Sequence, residues 1–198
     1  IFYIQKSATG SIGIIATPDG QNKKQIWDSP IRSVIPQFFG DNQIIITTKP
    51  NVNAPGYSYV VDTKTGSVKS ILQGISDLSV LAAPSSNLVL YYTSNNNGGL
   101  FSYSLTNGVA TQLTPTTLPE KCVFDPNNSA KQITMYCAVP NNFSGASALD
   151  NWYLGLTNFS DDIWKYNITA NTSIMIESLQ LNAGRDIDAI NLQLNSAG

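Results

Sequence analysis

The sequence predicts an all-β fold, a β-propeller made of four-stranded antiparallel blades. Three observations carry this prediction: short apolar strands recur along the whole chain, a turn containing Gly or Asn closes each repeat, and the repeats have the spacing of blades. The turn glycines Gly20, Gly66 and Gly108 lie 46 and 42 residues apart. That spacing is typical of a four-stranded blade.

Four segments share one pattern, in which an apolar strand leads into a turn that suits a positive φ angle. They cover residues 12–20, 59–66, 101–108 and 163–171, and each is followed by another short apolar strand. Two further strands precede three of these segments, within residues 33–48, 78–92 and 121–137. The pattern predicts complete blades over residues 32–75, 76–117 and 118–180, within a single propeller domain or propeller fragment spanning 1–198.

The two ends of the chain are predicted to share the remaining blade, which combines residues 185–198 with 1–31. Residues 188–194 resemble a first strand, 195–198 the turn after it, and 1–4 a second strand. Joined in that order, the two ends match residues 81–91 without a gap. Three arrangements stay open: a four-bladed ring closed within one chain, an arc of a larger ring, or a homodimer that completes its blades and closes eight of them.

The composition argues against several functions. Charged residues make up 12% of the chain, the net charge is −2, the pI is near 4.9, and histidine is absent. Such a chain offers no basic surface for nucleic acid, and it has no apolar run long enough to span a membrane. Because histidine is the commonest general base and metal ligand, we predict no catalytic residue, no metal and no cofactor.

Several turns resemble those of the TolB-type WD40-like propeller repeats, which carry Ser-Pro-Asp-Gly between the first and second strands. Residues 83–86 and 124–127 are degenerate versions of that turn, and 195–198 is a weaker one. The stretches 118–124, 136–140, 152–155 and 159–165 resemble a group of uncharacterised bacterial proteins that carry a membrane anchor ahead of a longer propeller. This resemblance implies an extracytoplasmic location, in the periplasm or at the cell surface, with an anchor outside the present sequence. It implies no activity.

Cys122 and Cys137 are predicted to face each other across a hairpin in the fourth blade. Directly opposed strand positions place Cβ atoms about 4.5–5.5 Å apart, close to what a disulfide requires. An oxidising compartment would favour the bond. The alternative is two reduced, buried thiols. A metal site is not expected, because two thiols fall short of four ligands.

The fourth repeat is longer than the others, and its surplus falls in residues 140–159, here called the insertion. Binding residues on rigid scaffolds gather in such loops, so the insertion is the candidate binding surface. The candidate binding residues are Trp152, Tyr153, Asn142 and Phe143. The alternative is that Trp152 and Tyr153 pin the loop onto its own blade.

Two groups of acidic residues also need an interpretation. Asp150, Asp161 and Asp162 could join backbone carbonyls around calcium, but their spacing is not that of a calcium-binding loop, and solvated acids are the alternative. Asp186 and Asp188 could form a catalytic pair near the seam between the chain ends. Capping and loop hydrogen bonding are the alternative for this pair.

The sequence favours a non-catalytic propeller that binds or scaffolds another protein at the bacterial cell envelope. Its support is the predicted fold, the lack of histidine and the lack of a G-x-S-x-G nucleophile motif. The second interpretation is a glycan-binding module that uses Trp152, Tyr153 and neighbouring Asn side chains. The third is a hydrolase-type enzyme with an acidic site in the central channel.

Overall fold

The structure is a computed structural model that describes residues 1–84, 86–129, 131–143 and 148–195. The described residues form four antiparallel sheets, and two short helices lie outside them. Sheet 1 contains β1 (Phe2–Lys6), β2 (Ser11–Ile15) and β3 (Lys24–Ser29). Sheet 2 contains β4 (Val34–Phe39), β5 (Gln43–Thr48), β6 (Pro55–Asp62) and β7 (Val68–Ser76). Sheet 3 contains β8 (Ser79–Ala82), β9 (Leu88–Thr93), β10 (Gly99–Ser104) and β11 (Ala110–Leu113).

Sheet 4 contains β12 (Cys122–Phe124), β13 (Thr134–Pro140), β14 (Asp161–Asn167) and β15 (Thr172–Ser178). Helix α1 (Ala148–Tyr153) lies in the insertion between β13 and β14, where the sequence predicts a loop, and helix α2 (Leu179–Ala183) follows β15. In the described part of the chain, neither helix is long and apolar enough to cross a membrane.

Each sheet is a meander in which neighbouring strands in space are also neighbours in the sequence. The turns between the last two strands have the predicted positive φ angles: 78° at Gly20, 77° at Gly66, 71° at Gly108 and 50° at Asn171. Gly and Asn tolerate this conformation better than other residues, so the four repeats end where the sequence indicates. The predicted all-β propeller architecture is confirmed.

Three apolar layers separate the four sheets, which pack face to face in chain order. Between sheets 1 and 2, the Trp27 and Tyr59 rings lie with their centroids 5.2 Å apart. Between sheets 2 and 3, Ile45 and Val89 are fully buried. The third layer joins sheets 3 and 4 and includes the two cysteines. The core is therefore a series of blade-to-blade contacts.

The predicted hairpin pairing in sheet 4 is present, with Cys122 directly opposite Cys137. The two residues form a disulfide, and their Cα atoms lie 4.0 Å apart. Both cysteines are buried against sheet 3. The bond therefore joins the inner edge strand of sheet 4 to its neighbour within the core.

The predicted strand over residues 188–194 is wrong, since no strand occurs there and sheet 1 has three strands in the described part of the chain. Instead the segment returns to sheet 4. The Asp161 backbone N–H donates to Ile187 O at 3.0 Å, and the Asp161 carboxylate accepts the Ala189 N–H at 2.7 Å. Asn191 has a φ of 54°, which an extended strand does not adopt. Polar contacts with sheet 4 thus replace the predicted pairing. Residues 196–198 of the predicted closing turn lie outside the described residues.

Candidate functional site

The connections at one end of the propeller contact one another, and we call this end the insertion face. In a four-stranded antiparallel meander, the loop between the second and third strands and the connection to the next sheet emerge at the same end. The segments involved are 49–54, 77–78, 94–98, 114–121, 141–143, 148–160 and 179–195. The Asp150 carboxylate accepts the Val52 N–H at 3.3 Å, and Asp77 N donates to Asn51 O at 3.2 Å. Loops from sheets 2, 3 and 4 therefore form one continuous surface.

Two of the four predicted binding residues hold the insertion in place. The Trp152 indole N–H donates to Asp188 at 3.0 Å, and its ring lies 6.3 Å from that of Phe159. Phe143 meets the Tyr92 ring edge to face, with centroids 5.7 Å apart. Aromatic pairs of this geometry add to the energy of area burial. Trp152 is thus held as the pinning alternative describes, whereas Phe143 packs against Tyr92 of the neighbouring sheet 3.

The other two candidates lie at the surface. Asn142 is exposed at the start of the insertion, and Tyr153 is 41% exposed at the end of α1. Beyond Tyr153 the chain exposes two large apolar side chains, Leu154 at 71% and Leu156 at 72%. These three residues, Tyr153, Leu154 and Leu156, are here called the apolar tip.

A groove of about 550 Å³ lies beside the apolar tip. Its walls include Pro50 and Tyr57 from sheet 2, and Asp150 and Leu154 from the insertion. Grooves in which apolar walls surround a few polar groups are typical binding sites. The insertion and sheet 2 therefore form a concave surface that neither would form alone.

The Tyr153 hydroxyl points away from this groove, towards Glu120. It donates a short hydrogen bond to Glu120 Oε1, which also accepts the Ser79 hydroxyl at 2.5 Å. Burial of the hydroxyl and the neighbouring Glu120 carboxylate both raise the pKa of Tyr153, so the phenol stays protonated. A second cavity, of about 140 Å³, lies between Tyr153, Glu120 and the inner strands β4 and β8. The phenol thus anchors the tip over the inner edge of sheets 2 and 3.

Beneath the insertion lies a buried cation that the sequence did not indicate. Lys121 has no exposed side-chain surface, and its ammonium group lies 2.6 Å from both Asp161 and Asp188. The ammonium also donates to Ala189 O at 3.1 Å and lies 5.3 Å from the centre of the Trp152 ring. Because its partners are 40 and 67 residues away in sequence, no local pattern could have identified this cluster.

The two carboxylates of this cluster respond differently to their surroundings. Burial raises the pKa of Asp161, although Lys121 opposes it. Partial burial by itself would raise the pKa of Asp188. Hydrogen bonds from Lys121, the Phe159 N–H and Trp152 outweigh this effect, so the pKa of Asp188 is lowered. The cluster keeps the segment after α2 attached to sheet 4.

The interpretation of the first acidic group as solvated is wrong for Asp161 and Asp162, which are both buried. Asp188 is paired with Lys121, whereas Asp186 accepts a hydrogen bond from Gln180 at 3.0 Å. Asp161 also faces Lys121, and Asp150 lies apart on α1. In the part of the chain that the structure describes, no three His, Cys, Asp or Glu side chains are arranged to hold a metal ion.

No protein-family model and no curated protein matches the sequence. Among solved structures, the uncharacterised protein lmo1340 from Listeria monocytogenes EGD-e is similar with a TM-score of 0.60 and 10% identity, over 89% of this chain and 50% of that one. A prolyl endopeptidase has a TM-score of 0.50 and 12% identity, over 89% of this chain and 24% of that one. A candidate TolB from Agrobacterium tumefaciens has a TM-score of 0.49 and 7% identity, over 88% of this chain and 59% of that one.

The similarities to lmo1340 and to the prolyl endopeptidase agree with the meander sheets and define the class of protein as a β-propeller. The chain spans about half the length of lmo1340. At such low identities the similarity concerns the fold alone, because one propeller architecture carries many unrelated activities.

Proposed function

We propose that this chain is a non-catalytic, protein-binding propeller of the bacterial cell envelope, which recognises its partner through the insertion face. The observation that carries the proposal is the apolar tip beside the groove. Exposed apolar groups at a concave surface are typical of interaction sites. Tyr153 and the two leucines supply apolar contact area, and Asp150 in the groove wall supplies a polar group that orients the partner.

The rigidity of the tip supports the same proposal. Tyr153 is anchored to Glu120, and Trp152 to Asp188, and these are the last two residues of α1. A preordered apolar segment loses less conformational entropy on binding than a mobile loop does. The tip therefore presents Leu154 and Leu156 from a fixed base.

The extracytoplasmic location is proposed on two grounds. Disulfides persist in oxidising compartments and are rare in the cytosol, and Cys122 is bonded to Cys137. The sequence also resembles membrane-anchored envelope propellers, as described above.

Glycan binding stays a second prediction with a narrower basis. The Trp152 ring packs against Phe159 and Lys121, so Tyr153 is the aromatic candidate that retains substantial exposure. A glycan array tests this reading, and binding that is lost in Tyr153→Ala would favour it over a protein partner.

Site-specific photocrosslinking tests the proposed protein-binding surface. A photoreactive amino acid replaces Leu154 in one variant and Val109 in a control, where Val109 is 54% exposed in the turn between β10 and β11, at the end of sheet 3 opposite the insertion face. In cells that express the protein, we expect a discrete adduct from position 154 and none of that mass from position 109. The adduct should disappear when Leu156→Ser is added. Equal adduct patterns from both positions, or no adduct from position 154, would contradict the proposal.

A further inference from the structure

Asp77 is a buried acid in the connection between β7 and β8, where no sequence motif marks it. Asp77 is fully buried, and neither of its carboxylate oxygens has a hydrogen-bond partner among the described residues. Ser94 is close enough to favour the ionised form, but it makes no well-formed hydrogen bond to the carboxylate. The backbone holds Asp77 in place, with a φ of 53° and its N–H donated to Asn51 O.

Two other oxygen-bearing side chains lie near Asp77. The peptide between Asn51 and Val52 connects it to Asp150 on α1, because Asn51 O accepts the Asp77 N–H and the Val52 N–H donates to the Asp150 carboxylate. Asp150 is close enough to act electrostatically on Asp77. The Tyr92 hydroxyl is buried, has no partner among the described residues, and has its pKa raised to about 12 by burial and by Asp77. A Cβ atom at Gly98 would lie 2.8 Å from this hydroxyl, so a glycine is needed beside it.

An unpaired buried carboxylate beside a second carboxylate is costly. Removing an ion from water without a counter-charge costs several kcal/mol in proteins, and a like charge adds to that. Lys121, the buried cation of this face, is already shared between Asp161 and Asp188. The Asp77 carboxylate thus lacks the partner that buried acids normally have.

We propose that Asp77 and Asp150 bind a divalent cation of the calcium class between sheet 3 and the insertion, with the Tyr92 hydroxyl beside it. All the available atoms are oxygens, which calcium prefers, and calcium tolerates the irregular geometry that separate loops impose. Two carboxylates and neutral oxygens leave positions for water. Asp150 also lines the 550 Å³ groove, so it is the member of the pair that lies next to solvent.

The ion would join α1 to the connection between sheets 2 and 3. Asp150 and Tyr153 lie on the same short helix, so bound calcium would hold the base of the apolar tip. Such a site needs only a weak affinity, since extracellular calcium modules work with Kd values of about 10⁻⁴–10⁻³ M. This inference does not depend on the identity of any protein partner.

Thermal unfolding of the full chain, first treated with a chelator and then given calcium chloride, tests the site. At ten times Kd, a ligand that binds only the folded state shifts the folding equilibrium about elevenfold. For a protein of this size we expect Tm to rise by roughly 3–6 °C. Asp77→Asn should abolish the rise, and Asp150→Asn should reduce it. Asp41→Asn, at an exposed acid on the opposite end of sheet 2, should leave it intact.

Terbium luminescence supplies a second readout that does not depend on stability. Terbium binds calcium sites and accepts excitation energy from nearby aromatic rings, so Tyr92 should sensitise it. We expect a saturable signal that calcium displaces and that Asp77→Asn removes. A calcium-induced rise in Tm that survives Asp77→Asn would overturn the proposal. So would the absence of any calcium effect on Tm together with unsaturable terbium emission.

Discussion

The Lys121 ammonium lies 2.6 Å from the Asp161 carboxylate, and neither side chain is exposed to solvent. Asp188 provides the second carboxylate of the same cluster, from a segment that follows the four sheets. Lys121, the residue immediately before the first strand of sheet 4, thus connects that end of the sheet to its third strand and to the returning segment. This single cation determines where residues 187–189 lie.

Replacing the lysine should therefore destabilise the protein strongly. Lys121→Met leaves Asp161 buried without a counter-charge, and breaking a buried pair in this way costs about 3–5 kcal/mol. Urea denaturation measures the loss, with Lys23→Met, an exposed lysine, as the control. The control should stay within about 0.5 kcal/mol of the unmodified protein. A loss below about 1 kcal/mol in Lys121→Met would show that the ion pair is not the attachment point.

The sequence allowed the sheets to be predicted, because their signals are local. Turn residues such as Gly66 and Asn171 stand next to the strands that they connect, and the cysteine pair reports the register of one hairpin. The returning segment could not be predicted. Residues 188–194 are suited to a strand, but contacts with Lys121 and Asp161 from distant parts of the chain override that local preference.

The candidate site was predicted in part for the same reason. The insertion was found from its length, and Tyr153 lies at the surface as a binding residue should. Trp152 was predicted to bind on the same ground, that it is an aromatic residue of the insertion, but its indole N–H donates to Asp188 within the protein. Asp77 was missed because a single acid between two strands gives no sign that its carboxylate will be buried.

Removing the Cys122–Cys137 disulfide should lower the free energy of unfolding by an amount comparable to that expected for Lys121→Met. In the chain-entropy description, a bond that closes a loop of about 15 residues stabilises the folded state by about 3 kcal/mol. The Cys122–Cys137 bond spans 15 residues. The double variant Cys122→Ala and Cys137→Ala should show this loss in urea without reductant. Adding reductant should lower the stability of the unmodified protein but leave the variant unchanged. An unchanged urea midpoint in the variant would contradict this expectation.

Stability should depend on pH through Asp77 when calcium is chelated. Burial, and then Asp150, raise the pKa of Asp77 to about 6, above its usual value of 3.8. The folded state then binds a proton that the unfolded state does not hold between those values, so stability falls as pH rises from about 4 to about 7. Asp161 has a raised pKa as well and acts in the same direction.

The comparison with Asp77→Asn isolates the contribution of Asp77. Urea denaturation at several pH values should show a shallower decline for this variant than for the unmodified protein. Asp41→Asn serves as the exposed control and should follow the unmodified protein. Because the chain has no histidine, no imidazole titrates in this range. Parallel curves for Asp77→Asn and the unmodified protein would show that Asp77 does not titrate differently on folding.

The open edge of sheet 1 supports a prediction of self-association. β1 pairs with β2, and no described residue pairs with its other side. Ile1 and Ala16 exchange both backbone hydrogen bonds, and Ser7 N donates to Gly10 O. Since bonded and non-bonded pairs alternate in an antiparallel ladder, Phe2, Ile4 and Lys6 direct their N–H groups to the open edge. An open edge of this kind accepts a further strand.

Substitutions at Lys6 therefore test whether a second copy completes the blade. We expect light scattering to show a dimer that dissociates on dilution. Lys6→Pro removes an outward N–H without breaking a bond to β2, so it should shift the protein towards the monomer. Lys6→Ala removes the same side chain but keeps the N–H, and it should dimerise as the unmodified protein does. If the protein is monomeric at every concentration, or if both variants dissociate equally, strand addition at β1 does not join two copies.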